Sequence, residues 1–170
     1  MVKLKGRVVH WSKVRSGDVS YLIQEYGAEY DSWLRLMVGG LIGLTLILGI
    51  VFITIDLLGA VMMFGVTVFD ALLFYAIIPR RYQIFQDRLR IVLGRPFAIN
   101  IPLSTITEAR AAPASEAFVY WGVRFATSAK SVVEIVRHKG LNLVISPANR
   151  ESFLEQLHQA LEDYRQATSQ

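Results

Sequence analysis

Hydrophobic positions are distributed very unevenly along this chain. Residues 36–55 form an unbroken uncharged run of twenty positions, and residues 57–78 form a second run interrupted only by Asp70. At about 1.5 Å of rise per residue, either run makes a helix that matches the roughly 30 Å hydrocarbon core of a bilayer. The two runs meet at Asp56. That pattern predicts a tight transmembrane hairpin with spans at 36–55 and 57–78 and Asp56 in the turn.

Ahead of the hairpin, Leu22, Ile23, Tyr26, Tyr30 and Trp33 recur at three-to-four-residue spacing within residues 18–33, which places them on one helical face. Two readings stand side by side. The segment is an interfacial helix in the headgroup zone, where Tyr and Trp concentrate, or its aromatics pack on the cytoplasmic domain.

After Pro79 the hydrophobic period changes to two. Residues 82–85 and 89–92 read as strands joined by a turn at Asp87-Arg88, and Phe97, Ile99 and Ile101 alternate with Ala98 and Asn100 up to Pro102. Residues 118–125 read as a further strand, with Trp121 in the domain core. Residues 131–137 and 141–146 flank His138-Lys139-Gly140, a hairpin turn. Finally Phe153, Leu154, Leu157, Ala160, Leu161 and Tyr164 recur at helical spacing, and the helix starts at Ser146-Pro147 or with Asn149 as its cap. The expected class is an α+β membrane protein: a transmembrane α-helical hairpin, then an antiparallel β-barrel or sandwich of six or seven strands, capped by a C-terminal helix. The expected domains are a cytoplasmic N-terminal segment at 1–35, the hairpin at 36–79 and a cytoplasmic domain at 80–170.

Charge orients this arrangement. Lys3, Lys5, Arg7, Lys13, Arg15 and Arg35 precede the first span, twelve basic residues follow the second, and none lies at the turn. The positive-inside rule then places both termini in the cytoplasm of a multi-pass cell-membrane protein. The first residues lack the apolar core of a cleavable signal, so the first span is expected to be retained. Net charge is only +4, and no compact basic run interleaved with aromatics points to nucleic acid.

Several chemistries are excluded outright. The chain has no cysteine, so it has no disulfide, thiolate metal site or thiol nucleophile. His10, His138 and His158 lie outside the apolar runs, which argues against a cofactor ligated by histidine inside the bilayer. Asp56 and Asp70 lie about 21 Å apart along one helix, too far to share a proton as an aspartyl dyad does. No catalytic motif or metal-ligand spacing connects Glu134, His138 and His158, and His158 reads as a half-exposed helix residue. No catalytic, cofactor or metal residues are expected, and the chain is read as non-enzymatic.

Asp70 is the residue that demands an explanation. It lies about 12 Å inside the cytoplasmic end of the second span, where a carboxylate costs on the order of 3 kcal/mol. In a hairpin folded at Asp56 it lies near the level of Gly39, Gly43 and Thr45. The glycines form a small-xxx-small pair that lets helices approach, and Thr45 is a candidate hydrogen-bond partner. A packing or partner role is preferred to proton transfer.

Several segments carry a resemblance. Arg80-Arg81-Tyr82-Gln83-Ile84 directly follows the hairpin. Asp87-Arg88-Leu89-Arg90-Ile91 is followed by Gly94 and then by Ile101-Pro102-Leu103-Ser104-Thr105-Ile106. Trp121-Gly122-Val123-Arg124 and Gly140-Leu141-Asn142-Leu143-Val144-Ile145-Ser146-Pro147 lead to Phe153-Leu154 and Leu157. In this order they resemble the bacterial pleckstrin-homology-like (PH-like) domain of small membrane proteins, over residues 80–164. The resemblance implies a PH-like fold, and a fold does not imply a function. Eukaryotic members often bind phosphoinositides through clustered lysines and arginines. No lysine-rich signature is present here, and no such site is carried over.

The expected role is that of an accessory or assembly subunit, or a homo-oligomeric scaffold, in a membrane complex. The expected partners are membrane lipids together with a membrane protein or a second copy of the chain. The alternative is a surface sensor in which Arg80, Arg81, Arg88 and Arg90 meet anionic headgroups.

Overall fold

The chain enters and leaves its apolar hairpin through neighbouring strands of one sheet. The computed structural model describes residues 21–168. Strand β1, Leu22–Gly27, precedes helix α1, Ser32–Phe52, and helix α2, Leu57–Ile77, is followed by strand β2, Arg81–Phe85. Strands β1 and β2 pair antiparallel, with Tyr26 opposite Tyr82 and Gly27 opposite Arg81. The Ala28 N–H donates to the Arg80 carbonyl at 3.0 Å, so the hairpin is the connection between two paired strands.

This arrangement corrects the helix expected over residues 18–33. Leu22–Gly27 is extended, and Asp18 to Ser20 lie outside the described residues. The aromatic spacing arises because Tyr26 faces the core, whereas Tyr30 and Trp33 serve the junction with the hairpin.

Helices α1 and α2 are long and apolar enough to cross a membrane, and only Gly49 and Ala60 within them are buried. Asp56 ends the turn as expected: its carboxylate accepts the N–H groups of Leu58 at 3.2 Å and Gly59 at 2.9 Å, capping α2. The helices meet closely near this turn. A Cβ on Gly49 would lie 3.1 Å from the ring of Phe64, so glycine allows that approach.

Strands β3, Arg88–Val92, and β4, Ala98–Pro102, complete a sheet of order β1-β2-β3-β4. Strands β5, Ile106–Ala111, β6, Val123–Phe125, β7, Val133–Arg137, and β8, Leu143–Ile145, form a second sheet of order β5-β7-β8-β6, in which β6 and β8 run parallel. The architecture is a sandwich and not a closed barrel. Alternation supplies its core: Tyr82, Ile84, Leu89, Ile91 and Ile101 face Ile106, Ala109, Val133, Ile135 and Ile145. Helix α3, Arg150–Thr168, adds Phe153, Leu157, Ala160 and Leu161 to the same core. The Asn149 side chain accepts the Ser152 N–H at 3.3 Å, making Asn149 the cap of α3. The β7–β8 turn takes Gly140 at a φ of 97°, a conformation that glycine adopts without strain.

Two strand expectations change. Residues 118–125 are strand only at Val123–Phe125, because residues 114–117 form a 3-10 turn and the chain then crosses the outside of the second sheet. Trp121 is not in the core: it is 98% exposed.

Candidate functional site

The junction between hairpin and sandwich is held by short polar contacts. Asp31 is the last residue before α1, yet its carboxylate does not cap that helix. It accepts the Ala129 N–H at 2.7 Å and the Ser128 hydroxyl at 2.8 Å. The Ala129 N–H holds its pKa below the usual carboxylate value; burial opposes this, and Ser128 and the charge of Lys130 add to it. The Asp31 N–H donates to the Thr127 carbonyl at 3.0 Å, and the Thr127 hydroxyl donates to the Glu29 carbonyl. On the outgoing side the Tyr30 hydroxyl donates to the Pro79 carbonyl at 2.6 Å, and burial raises its pKa. The Gly94 N–H donates to the Ala76 carbonyl at 3.3 Å, tying the β3–β4 turn to the last turn of α2.

Beside these contacts lies an open groove of about 520 Å³. Its walls are Val38 and Ile42 from α1 and Ala71, Phe74, Tyr75 and Ile78 from α2 and its end. At its head stand Tyr30, Arg80 and Arg81. The Arg80 guanidinium lies 4.2 Å over the Tyr75 ring, and Arg80 makes no ion pair among the described residues. Arg81 pairs with Glu25 of β1 at 3.0 Å.

The four arginines singled out in the sequence do not form one cluster. Arg90 lies on the outer face of the first sheet, opposite Gln83 and Asn100. Arg88 sits 3.5 Å from Asp87 and stacks over Phe85 at 5.3 Å. Only Arg80 and Arg81 reach the groove.

The polar and glycine set singled out in the two apolar helices is also divided. The hydroxyls of Thr45 and Thr67 meet at 3.0 Å, and Thr45 donates to the Ile42 carbonyl. Thr45 therefore partners Thr67 and not Asp70. Cβ atoms on Gly39 and Gly43 would meet nothing within 4 Å, so neither glycine lies in the α1–α2 contact. Asp70 is half-buried, one turn beyond Thr67, and makes no hydrogen bond or ion pair among the described residues.

A third polar cluster was not foreseen. Glu134 is 6% exposed and lies 2.6 Å from both Arg110 Nε and Arg110 Nη2, while the Tyr120 hydroxyl donates to it at 2.7 Å. Burial first, and then this bond, raise the Tyr120 pKa; the Glu134 contact raises that of Arg110. No spacing advertises the trio, because β5–β7 pairing and the loop after β5 bring it together. The cluster pins the 112–122 loop, whose Val119 and Trp121 stay in solvent while Phe118 packs at a tilt against Trp33, 5.2 Å between ring centroids. His138 is exposed in the β7–β8 turn, and His158 is an exposed helix residue whose Nε2 donates to the Ala109 carbonyl at 2.7 Å. Among the described residues no group of three His, Cys, Asp or Glu is placed to hold a metal ion.

The seven strands β2–β8 followed by α3 are the arrangement that the sequence resemblance implied. Residues 80–160 match the family model of the bacterial PH domain. Over that stretch, just under half of the chain, the sequence is similar to a bacterial PH domain. No curated protein matches the chain. The bacterial PH domain as matched opens with β2, so β1 is an eighth strand outside the matched region and the hairpin leads directly into that region.

Proposed function

We propose that this chain is a non-catalytic membrane protein, with both termini in the cytoplasm, that uses its bacterial PH domain to dock on other proteins. It serves as an accessory or assembly subunit of a membrane complex, or as a homo-oligomeric scaffold. The observation that carries this reading is Asp70. A carboxylate at that depth costs on the order of 3 kcal/mol unless a polar or basic group meets it, and no described residue does so. The open faces of Gly39 and Gly43 suit a further helix. In the domain, Val119 and Trp121 are exposed apolar side chains on one loop and offer a point of contact for a partner. The hairpin holds that loop at the membrane, where partners meet it at raised effective concentration.

The rival surface-sensor reading is weaker, because only Arg80 and Arg81 of its four arginines share a site, while Arg88 and Arg90 lie elsewhere.

The test is mild-detergent purification of the full chain from its native membrane, followed by sizing and identification of co-purifying subunits. A complex larger than the monomer supports the reading, and recovery of monomer alone overturns it. Asp70→Leu and Asp70→Asn should both shrink or loosen that complex; unchanged size and stability in both would remove Asp70 from the interface.

A further inference from the structure

We propose that the groove at the domain end of the hairpin holds one anionic phospholipid, with its phosphate at Arg80 and an acyl chain between α1 and α2. The inference rests on the hairpin crossing a bilayer, and on no protein partner.

The shape comes first. Near the turn the helices touch at Gly49 and Phe64, and midway at Thr45 and Thr67. Beyond that level both helices line an open groove of about 520 Å³, a volume large enough for part of a lipid though not an enclosed cavity. Its polarity is graded along the helices. Ile42 and Ala71 mark the deep end, within the spans, while Arg80 and Arg81 stand where the chain leaves them. An apolar body with an anionic head at membrane-surface depth is the matching ligand. A free anion leaves the deep walls bare, and a zwitterionic lipid brings a headgroup cation that offsets its phosphate beside Arg80.

The charge comes second. Arg81 is already paired with Glu25, and the Tyr30 hydroxyl is committed to the Pro79 carbonyl. Arg80 retains its charge without a carboxylate among the described residues, and the Tyr75 ring beneath it holds the guanidinium over the groove head. A planar guanidinium suits bidentate contact with a phosphate.

The experiment uses the full chain in detergent, exposed to equal phosphatidylglycerol and phosphatidylcholine, with bound lipid counted by native mass spectrometry. The expected result is one phosphatidylglycerol per chain, preferred about tenfold over phosphatidylcholine, whose choline cation offsets the phosphate charge that Arg80 meets. Arg80→Gln should lower retention about tenfold. Ala71→Leu, which narrows the groove without changing charge, should lower it as well. Arg90→Gln removes the same charge from the outer sheet face and should leave retention unchanged. Equal retention of the two lipids overturns the proposal in the wild type alone, whatever the folding of any variant. So does equal loss in Arg80→Gln and Arg90→Gln, or displacement by inorganic phosphate. Lipid retained on a chain recovered only as monomer would sink the docking reading and leave this one standing.

Discussion

The ring of Tyr26 packs edge-on against the ring of Phe153, with 5.3 Å between centroids and 79° between planes. Tyr26 precedes the hairpin and Phe153 begins the last helix, so the two ends of the described chain close one core. The Tyr26 hydroxyl also donates to the Ser152 carbonyl at 3.0 Å. Tyr26→Ala should destabilise the domain by about 3 kcal/mol, as aromatic truncations in cores do, and Tyr26→Phe by about 1 kcal/mol. Thermal unfolding in detergent measures both. An unchanged melting temperature in Tyr26→Ala would show that β1 is not part of the folded unit.

Gly94 couples domain to hairpin. A Cβ there would lie 1.8 Å from the Tyr75 carbonyl oxygen, so any side chain forces backbone apart. Gly94→Ala should cost about 1–3 kcal/mol, the range for overpacking, and speed tryptic cleavage after Arg80 and Arg81. A cleavage rate equal to wild type would mean that the contact is not kept in solution.

Asp31 makes the junction sensitive to acid. Its folded pKa lies below the unfolded value of about 3.9, so its stabilisation is complete above that value. It is lost as the pH falls through the lower folded value. Asp31→Asn should therefore cost about 1–2 kcal/mol at neutral pH, with the gap closing below about pH 4. Melting curves across that window decide the matter, and a gap independent of pH would mean that ionisation contributes nothing.

Glu134 sits under the loop that carries Trp121. Glu134→Ala removes the acceptor shared by Arg110 and Tyr120 and should cost about 1 kcal/mol through the lost Tyr120 bond, because the Arg110 charge left behind is open to solvent. It should also raise proteolysis within residues 112–122. An intact loop in this variant would assign its order to apolar packing around Ala117 and Val132 instead.

Trp121→Ser is the opposite case. With 98% of Trp121 exposed, stability should change by no more than about 0.5 kcal/mol. A large loss on melting would place the indole against the domain.

Parts of this fold were legible because their physics is local. Asp56 lies between two long apolar runs and caps the second through its own neighbours, Leu58 and Gly59. Tyr82, Ile84, Leu89 and Ile91 alternate because each strand has one covered face. Trp121 was misplaced because residue type states a preference for burial, whereas the path of the loop decides which side chains turn inward. Tyr120 takes the inward place, with Glu134 as partner.

From the sequence alone came two long apolar helices, the turn at Asp56, most of the alternating strands and the amphipathic last helix, since each depends on the spacing of residues along a single element. Helix α1 nevertheless runs Ser32–Phe52, shifted from the expected 36–55. Only the tertiary structure decided that β1 belongs to the domain, because it is recognised by pairing with β2 across the whole hairpin. It likewise decided that Thr45 turns to Thr67 and leaves Asp70 without a partner among the described residues, and that Arg80 separates from Arg90. These relations depend on how helices are rotated and which strands adjoin, and no run of neighbouring residues encodes them.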